Sequence, residues 1–206
     1  LEEGDFEAAA NLYSGFSLMV AGITRGEAAL ELQGQMSRGS RWSGLEVKET
    51  RVVADRTVLV RVAYQIEGAQ GAGPAQMDEW WPVREENGRW LVNRANLIDY
   101  RVLDVAEQAT GGLVVKPLRL TRFTDRMRLS LMVQNTTNEA IVLGQVNEIL
   151  ALFSFGDQQV EAVTEQMIFD RLRTNPQVEI DVLGSYDTYP DGVIIRQWKN
   201  YTVKPW

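Results

Sequence analysis

The stretch DEWWPVREENGRWLVNRANLI, residues 78–98, decides how the first half of the chain is read. Two aromatic-rich apolar runs flank Asn87-Gly88. That dipeptide suits a two-residue β-hairpin turn, because both central positions of the turn need positive φ. With this turn Glu86 faces Arg89, Glu85 faces Trp90, Val83 faces Val92 and Trp81 faces Arg94. Side chains alternate along a strand. Glu79, Trp81, Val83, Trp90, Val92 and Ile98 therefore share one face with Arg94, and Asp78, Trp80, Pro82, Arg84, Leu91, Asn93 and Ala95 share the other. The first face is the more apolar and is expected inside. A slip of one residue inverts the assignment. Glu79 and Arg94 then stand as charges on the inner face, either as a salt bridge at the sheet rim or as a polar pair at the mouth of a pocket.

Upstream of this hairpin, residues 45–53 and 56–67 read as another. Val58, Val60, Val62, Tyr64 and Ile66 alternate with Thr57, Leu59, Arg61, Ala63 and Gln65, and the first set is expected to be buried opposite Leu45 and Val47. The connector GAQGAGPA, residues 68–75, is glycine-rich. A strand follows it rather than a helix, so it reads as a hairpin loop and not a phosphate loop. Earlier still, residues 2–23 read as a helix with acids in its first turn and with Phe6, Ala9, Ala10, Tyr13, Phe16, Val20 and Ile23 on one side. Tyr13 is either core or a group pointing into a cavity. Thr24 with Glu27 forms a capping-box pattern for a second helix over 25–36, and Ser37-Arg38-Gly39-Ser40 breaks the pattern. Helix, helix, hairpin, hairpin predicts an α+β layer, with helices on one face of a curved antiparallel sheet.

The opening LEEGDFEAAANLYSGF, the paired long strands and the hairpin Trp81 to Val92 resemble the NTF2-like superfamily, and most of all its small SnoaL-like and DUF4878-like envelope members. The resemblance covers about the first hundred residues. It implies a cone-shaped α+β fold with a cavity between helices and sheet, and frequent dimerisation through the sheet. Enzymes of that superfamily (ketosteroid isomerases, dehydratases, epoxide hydrolases) use His, Asp, Tyr or Arg inside the cone. Here there is no His, and by register Asp78 points outward. Tyr13, Tyr64, Glu79 and Arg94 are the polar groups left for the inside. A base such as Glu79 would need a raised pKa, which a neighbouring Arg94 would oppose. The domain is therefore read as non-catalytic, with a structural or ligand-holding cavity whose candidate lining is Tyr13, Phe16, Tyr64, Glu79, Trp81 and Arg94.

Residues 99–112 lose strict alternation and end in Thr110-Gly111-Gly112, which places a domain over 1–104, a linker over 105–112 and a second domain over 113–206. From Leu113 the pattern is strands: 113–123, 126–134, 140–144, 149–155, 158–163, 178–183 and 193–203, with 165–172 open between strand and helix. Turns about every ten residues suggest a β-sandwich. An alternating strand running into Asn135-Thr136-Thr137, and a late Pro-containing turn before 178–183, resemble immunoglobulin-like envelope domains of the DUF4352 type. Asp181, Asp187 and Asp191 lack the spacing of a calcium loop and read as solvated loop acids. Trp198, Tyr201 and Trp206 form an aromatic tail, expected to pack on the first domain rather than to make an exposed patch.

Composition narrows the chemistry. The chain has 206 residues, a net charge of −7, no cysteine and no histidine. Disulfides, thiolate metal sites and every Ser-His-Asp or Cys-His arrangement are excluded. Neither half is basic, so a nucleic-acid partner is not expected. No apolar run approaches the roughly 18–20 residues of a membrane span. The start at Leu1, already helical in pattern, leads to the expectation of a processed or truncated piece from which a signal or anchor was removed. The resulting expectation is a non-enzymatic binding or assembly module of the bacterial cell envelope, with no cofactor and no metal. The partners considered are a protein, a small apolar ligand in the cone and a second copy of the chain. A ligand carrier is the alternative reading, and an isomerase- or dehydratase-type enzyme the third.

Overall fold

The structure is a computed structural model that describes residues 5–36, 41–67, 73–143, 149–163, 167–169, 177–195 and 201–203. It divides into two compact units, Leu1–Ile98 and Asp99–Trp206.

In the first unit, β1 (Arg41–Ala54), β2 (Thr57–Glu67), β3 (Ala75–Glu86) and β4 (Arg89–Val92) form one antiparallel sheet in that order. Asn87 and Gly88 take φ of 53° and 77°, the two positive values the turn requires. Glu86 pairs with Arg89, Glu85 with Trp90 and Val83 with Val92, the register read from the sequence. The pairing ends there, and Trp81 does not face Arg94. Arg94–Asn96 makes a short 3-10 turn with Ala95 at φ 53°, and the Asn93 amide donates to the Pro82 carbonyl at 2.7 Å.

The expected α+β cone is not what forms. The chain is mostly strand, and its helices are the short α1 (Phe6–Ala10), α2 (Gly15–Ala21) and α3 (Arg25–Met36). The helix expected over 2–23 breaks at Leu12–Ser14. There the chain runs parallel to the outer edge of β4: the Val92 amide donates to the Leu12 carbonyl at 2.8 Å and the Ser14 amide to the Val92 carbonyl at 2.9 Å. An open strand edge has backbone groups that need partners, and three residues of helix are given up to supply them. Ser14 then caps α2, its hydroxyl accepting from the Ser17 amide at 3.0 Å. The capping box of α3 forms as read, with Thr24 and Glu27 bonded in both directions. The helices bury their apolar sides mostly on one another, with Ala10, Leu18, Ala28 and Ala29 at the centre and Phe6, Tyr13, Ile23 and Leu32 around them. Helices this short are marginal alone and need such packing.

Burial on the sheet also departs from expectation. Thr57, Leu59, Pro82, Leu91 and Asn93, all on the face expected outside, are buried, whereas Trp90 on the face expected inside is 55% exposed. α2 docks on that other face, where the Arg84 guanidinium lies 4.3 Å from the Phe16 ring centre and the Glu86 carboxylate accepts from the Gly15 and Phe16 amides, each at 2.9 Å. The two groups of the β2 alternation are therefore both partly buried: Val62 and Tyr64 on one face, Thr57 and Leu59 on the other.

In chain order there follow β5 (Leu97–Val102), β6 (Gln108–Thr110), β7 (Leu113–Phe123), β8 (Arg126–Asn135), β9 (Ile141–Leu143), β10 (Ile149–Phe155), β11 (Gln158–Val163), β12 (Met167–Phe169), β13 (Gln177–Leu183), β14 (Gly192–Ile195) and β15 (Tyr201–Val203). One sheet has the order β13-β8-β7-β5, with β6 also paired to β7; a second has the order β11-β10-β14-β15; β9 pairs with β12. Among the described residues β10 pairs antiparallel with β11 and β14, β14 with β15, β9 with β12, β8 with β13 and β7, and β6 with β7. Met127, Leu129, Leu131 and Val133, the apolar set of the clean alternation in β8, are fully buried. They share one core with Val115 and Leu120 of β7, Ile180 and Val182 of β13, and Ala151, Phe153, Ala162 and Val193 of the second sheet. The unit is β-rich and antiparallel, and this is compatible with a β-sandwich.

The stretch 193–203, read as one strand, is two: Val193 pairs with Val203 and Ile195 with Tyr201, so the chain turns back. Of the open stretch 165–172, Met167–Phe169 is strand, and the rest lies outside the described residues, as do Gly68–Gly71, Ser37–Ser40, Trp198 and Trp206. Asn135 is buried and its side chain is committed, accepting from the Thr137 amide at 2.8 Å and donating to the Glu139 carbonyl at 2.7 Å.

Candidate functional site

The six residues expected to line one cavity are distributed over three places. Tyr64, Glu79 and Trp81 come together on the first face of the sheet. The Tyr64 hydroxyl donates to Glu79 Oε2 at 3.0 Å, and the Trp81 indole N–H reaches the same oxygen at 3.3 Å. Val60 pairs with Trp81 and Val62 with Glu79 across β2 and β3, so the pleat puts all three on one side. Tyr13 and Arg94 form the second place. The Arg94 guanidinium lies 5.4 Å from the Tyr13 ring centre and is ion-paired with Glu31 of α3. Glu79 and Arg94 are thus not partners. Phe16 is the third place, under Arg84.

Trp42 completes the first cluster. Its ring centre is 5.2 Å from that of Tyr64 and 6.1 Å from that of Trp81, while Tyr64 and Trp81 are 5.5 Å apart; all three pairs are tilted. Such contacts add to area burial by roughly 0.5–1.5 kcal/mol each. Trp42 faces Ile66 across β1 and β2, which sets it on the same side as Tyr64. The sequence reading passed over Trp42. Its signal was register: once β1 and β2 pair through the Ala54 turn, counting back places Trp42 near Tyr64, though bulges in β1 shift the count.

Tyr64 is 3% exposed, and burial together with its bond to Glu79 pushes its phenol up to about 12. Tyr13 is raised too, mainly by burial, with Arg94 pulling the other way. Chemically, the cluster holds its phenol protonated and spends Glu79 Oε2 on two hydrogen bonds to its own rings. That arrangement fixes side chains; it does not aim a base at a bound molecule.

The cluster is one end of a wider surface. Trp42, Val47, Val52 and Trp90 all project on the first face by register, and each is more than half exposed. Glu79 and Glu85 are the acids on that face. Glu85 is near Arg56 at 4.0 Å, and Lys48, at a bulge of β1, is paired with Glu46. Among the described residues no group of three or more acids could hold a metal, and no helix is long and apolar enough to cross a membrane.

No family model matches the chain, and no curated protein matches it.

Proposed function

We propose that this chain is a non-enzymatic binding or assembly module of the bacterial cell envelope, and that its first unit engages a protein partner through the sheet face that exposes Trp42, Val47, Val52 and Trp90. One observation carries the reading: aromatic and branched apolar side chains exposed side by side on a single sheet face, which on a soluble domain marks an interaction surface. Tryptophan, here Trp42 and Trp90, is also among the residues that dominate interface energies. The charge on that face favours a partner over a second copy. Glu79 and Glu85 would meet like charges across a symmetric face-to-face dimer, whereas an apolar segment with a Lys or Arg complements them. The separation of the six expected lining residues into three groups weighs against the ligand carrier and the isomerase-type enzyme. The second unit, with both sheets on one core, serves in this reading as a rigid β-sandwich mount.

A photo-crosslinking residue at Trp90, compared with one at Arg61 on the opposite face, tests this in intact cells. The expected result is one defined adduct in the envelope fraction from position 90 and none from position 61. Adducts equal at both positions, adducts only between copies of the chain, or recovery of the protein outside the envelope would overturn it. Trp42→Ala with Trp90→Ala is expected to abolish the adduct from a crosslinker at Val47.

A further inference from the structure

Asn87-Gly88, the only Asn-Gly pair in the chain, carries a chemistry besides its turn. Both residues are exposed at the hairpin tip. In such a pair the glycine amide nitrogen can attack the asparagine side chain, because glycine has no Cβ to hinder the approach. The Gly88 N–Asn87 Cγ bond forms and the Cγ–Nδ2 bond breaks. The side-chain nitrogen leaves as ammonia, and the proton it needs balances the one that Gly88 N gives up. Water then opens the ring on one side or the other. The product at position 87 is aspartate, or isoaspartate with the main chain running through the side-chain carbon.

The folded hairpin opposes this reaction in two ways. The attacking nitrogen must first lose its proton, and the Gly88 amide donates that proton to Glu85 Oε1 at 2.6 Å. A carboxylate in that place holds the proton by a charge-assisted bond, and its negative charge disfavours the amide anion. Geometry is the second obstacle. Asn87 and Gly88 take φ of 53° and 77°, in the left-handed region, where ψ is small and positive. Ring closure needs the peptide plane between them turned far from there. That plane cannot turn alone, because Glu86 pairs with Arg89 and Glu85 with Trp90 just behind it. Glu85 is itself fixed from β2: its amide donates to the Arg56 carbonyl at 2.8 Å, and Arg56 Nε stands 4.0 Å from its carboxylate.

We propose that Asn87 is a site of spontaneous deamidation and that Glu85 holds it in check while the hairpin is closed. The modification then follows opening of the turn and not mere exposure of the side chain. Its isoaspartate form adds a main-chain atom to a two-residue turn whose type sets the register of β3 on β4. Glu86, next to that turn, is the acceptor of the Gly15 and Phe16 amides, so the change reaches the start of α2. The inference stands apart from the partner surface proposed above.

The test is incubation of the full chain in mildly alkaline buffer, sampled over time and digested briefly with trypsin. Mass spectrometry of the peptide Glu85–Arg89 reads the exchange of amide for acid, and chromatography separates its aspartate and isoaspartate forms. Four samples are compared: the unaltered chain folded, the same chain unfolded in guanidinium chloride, Glu85→Gln and Glu85→Ala. The folded chain should react more slowly than the unfolded one. Glu85→Ala should react about tenfold faster than the unaltered folded chain, the loss of a hydrogen bond to a charged group that is partly open to water. Glu85→Gln keeps an acceptor without its charge and should fall between the two. Circular dichroism checks that both variants are folded; if Glu85→Ala is not, Glu85→Gln and the unfolded chain still decide. A folded chain that reacts as fast as the unfolded one, or a rate in Glu85→Gln no higher than in the unaltered chain, would overturn the proposal. A rate lowered by either substitution would make Glu85 a base that assists the attack, the opposite of what is proposed.

Discussion

Asp99→Ala should be among the most damaging single changes in the second unit. Asp99 receives Arg122 through both oxygens, at 2.9 and 2.8 Å, and accepts from the Tyr189 hydroxyl at 2.8 Å. The Arg122 side chain is 5% exposed, so the change leaves a guanidinium nearly out of water without its counter-charge. Breaking a buried pair in this way costs roughly 3–5 kcal/mol. Asp99 is itself about one-fifth exposed, which lets some water replace it and favours the lower end, about 3 kcal/mol. Tyr189→Phe removes one hydrogen bond to a charged acceptor and should cost about 1.5–3 kcal/mol. Burial and the Asp99 charge also hold the Tyr189 phenol far above its ordinary range, so it stays a donor under all ordinary conditions. The decisive variant is Asp99→Ala with Arg122→Met. With the stranded charge gone, the pair should lose no more than Asp99→Ala alone, a large departure from additivity. Urea denaturation followed by far-ultraviolet circular dichroism measures these chains together with Arg122→Met alone, which completes the cycle. A loss of less than about 1 kcal/mol for Asp99→Ala, or additive losses in the double variant, would refute the reasoning.

Tyr64 offers a titration test. Its folded pKa is raised from 10 to about 12, so the protonated phenol is favoured by folding. Its stabilising contribution is full below pH 10 and is lost as pH rises through about 12; alkaline absorbance titration should show a late phenolate that comes earlier in Glu79→Gln, while Tyr189, held higher still, remains protonated. Ser14→Ala removes both the acceptor of the Ser17 amide and the partner of Asn93 in a buried spot, and should cost about 1–3 kcal/mol in urea denaturation. Gly112→Ala should destabilise more than Gly88→Ala in the same assay. Both glycines have positive φ, 84° and 77°, but a Cβ on Gly112 would sit 2.5 Å from Thr137 Cγ2, and on Gly88 it meets nothing.

The sequence was legible where a signal was local. Asn87-Gly88 set the hairpin register, Thr24 with Glu27 set the start of α3, and the alternation from Arg126 set the buried side of β8. It was illegible where competition decided. The face of the hairpin that is buried depends on which side α2 occupies, and α2 exists apart from α1 only because Leu12–Ser14 completes the edge of β4. Helical periodicity across 2–23 carries no trace of that edge. The candidate site failed for a related reason. Tyr64, Glu79 and Trp81 are joined by strand register and were found, whereas Tyr13 and Arg94 were placed with them by a cone that does not form. The acid opposite Arg94 turned out to be Glu31, on a helix whose position no strand pattern reveals.

β1 is 14 residues long and forms one border of its sheet, yet its register against β2 slips between Ser43 and Glu46, between Val47 and Glu49, and between Val52 and Ala54. Each slip re-aims the amides and carbonyls beyond it. A cross-β nucleus grows by copying an evenly spaced ladder of those groups. This border does not present one over more than a few residues. Growth of a ladder in the hydrogen-bonding direction, across the strands, is thereby uncoupled from the exposed apolar side chains of the tryptophan-bearing face. A sheet built this way can expose apolar side chains on one face without an even ladder at its β1 border.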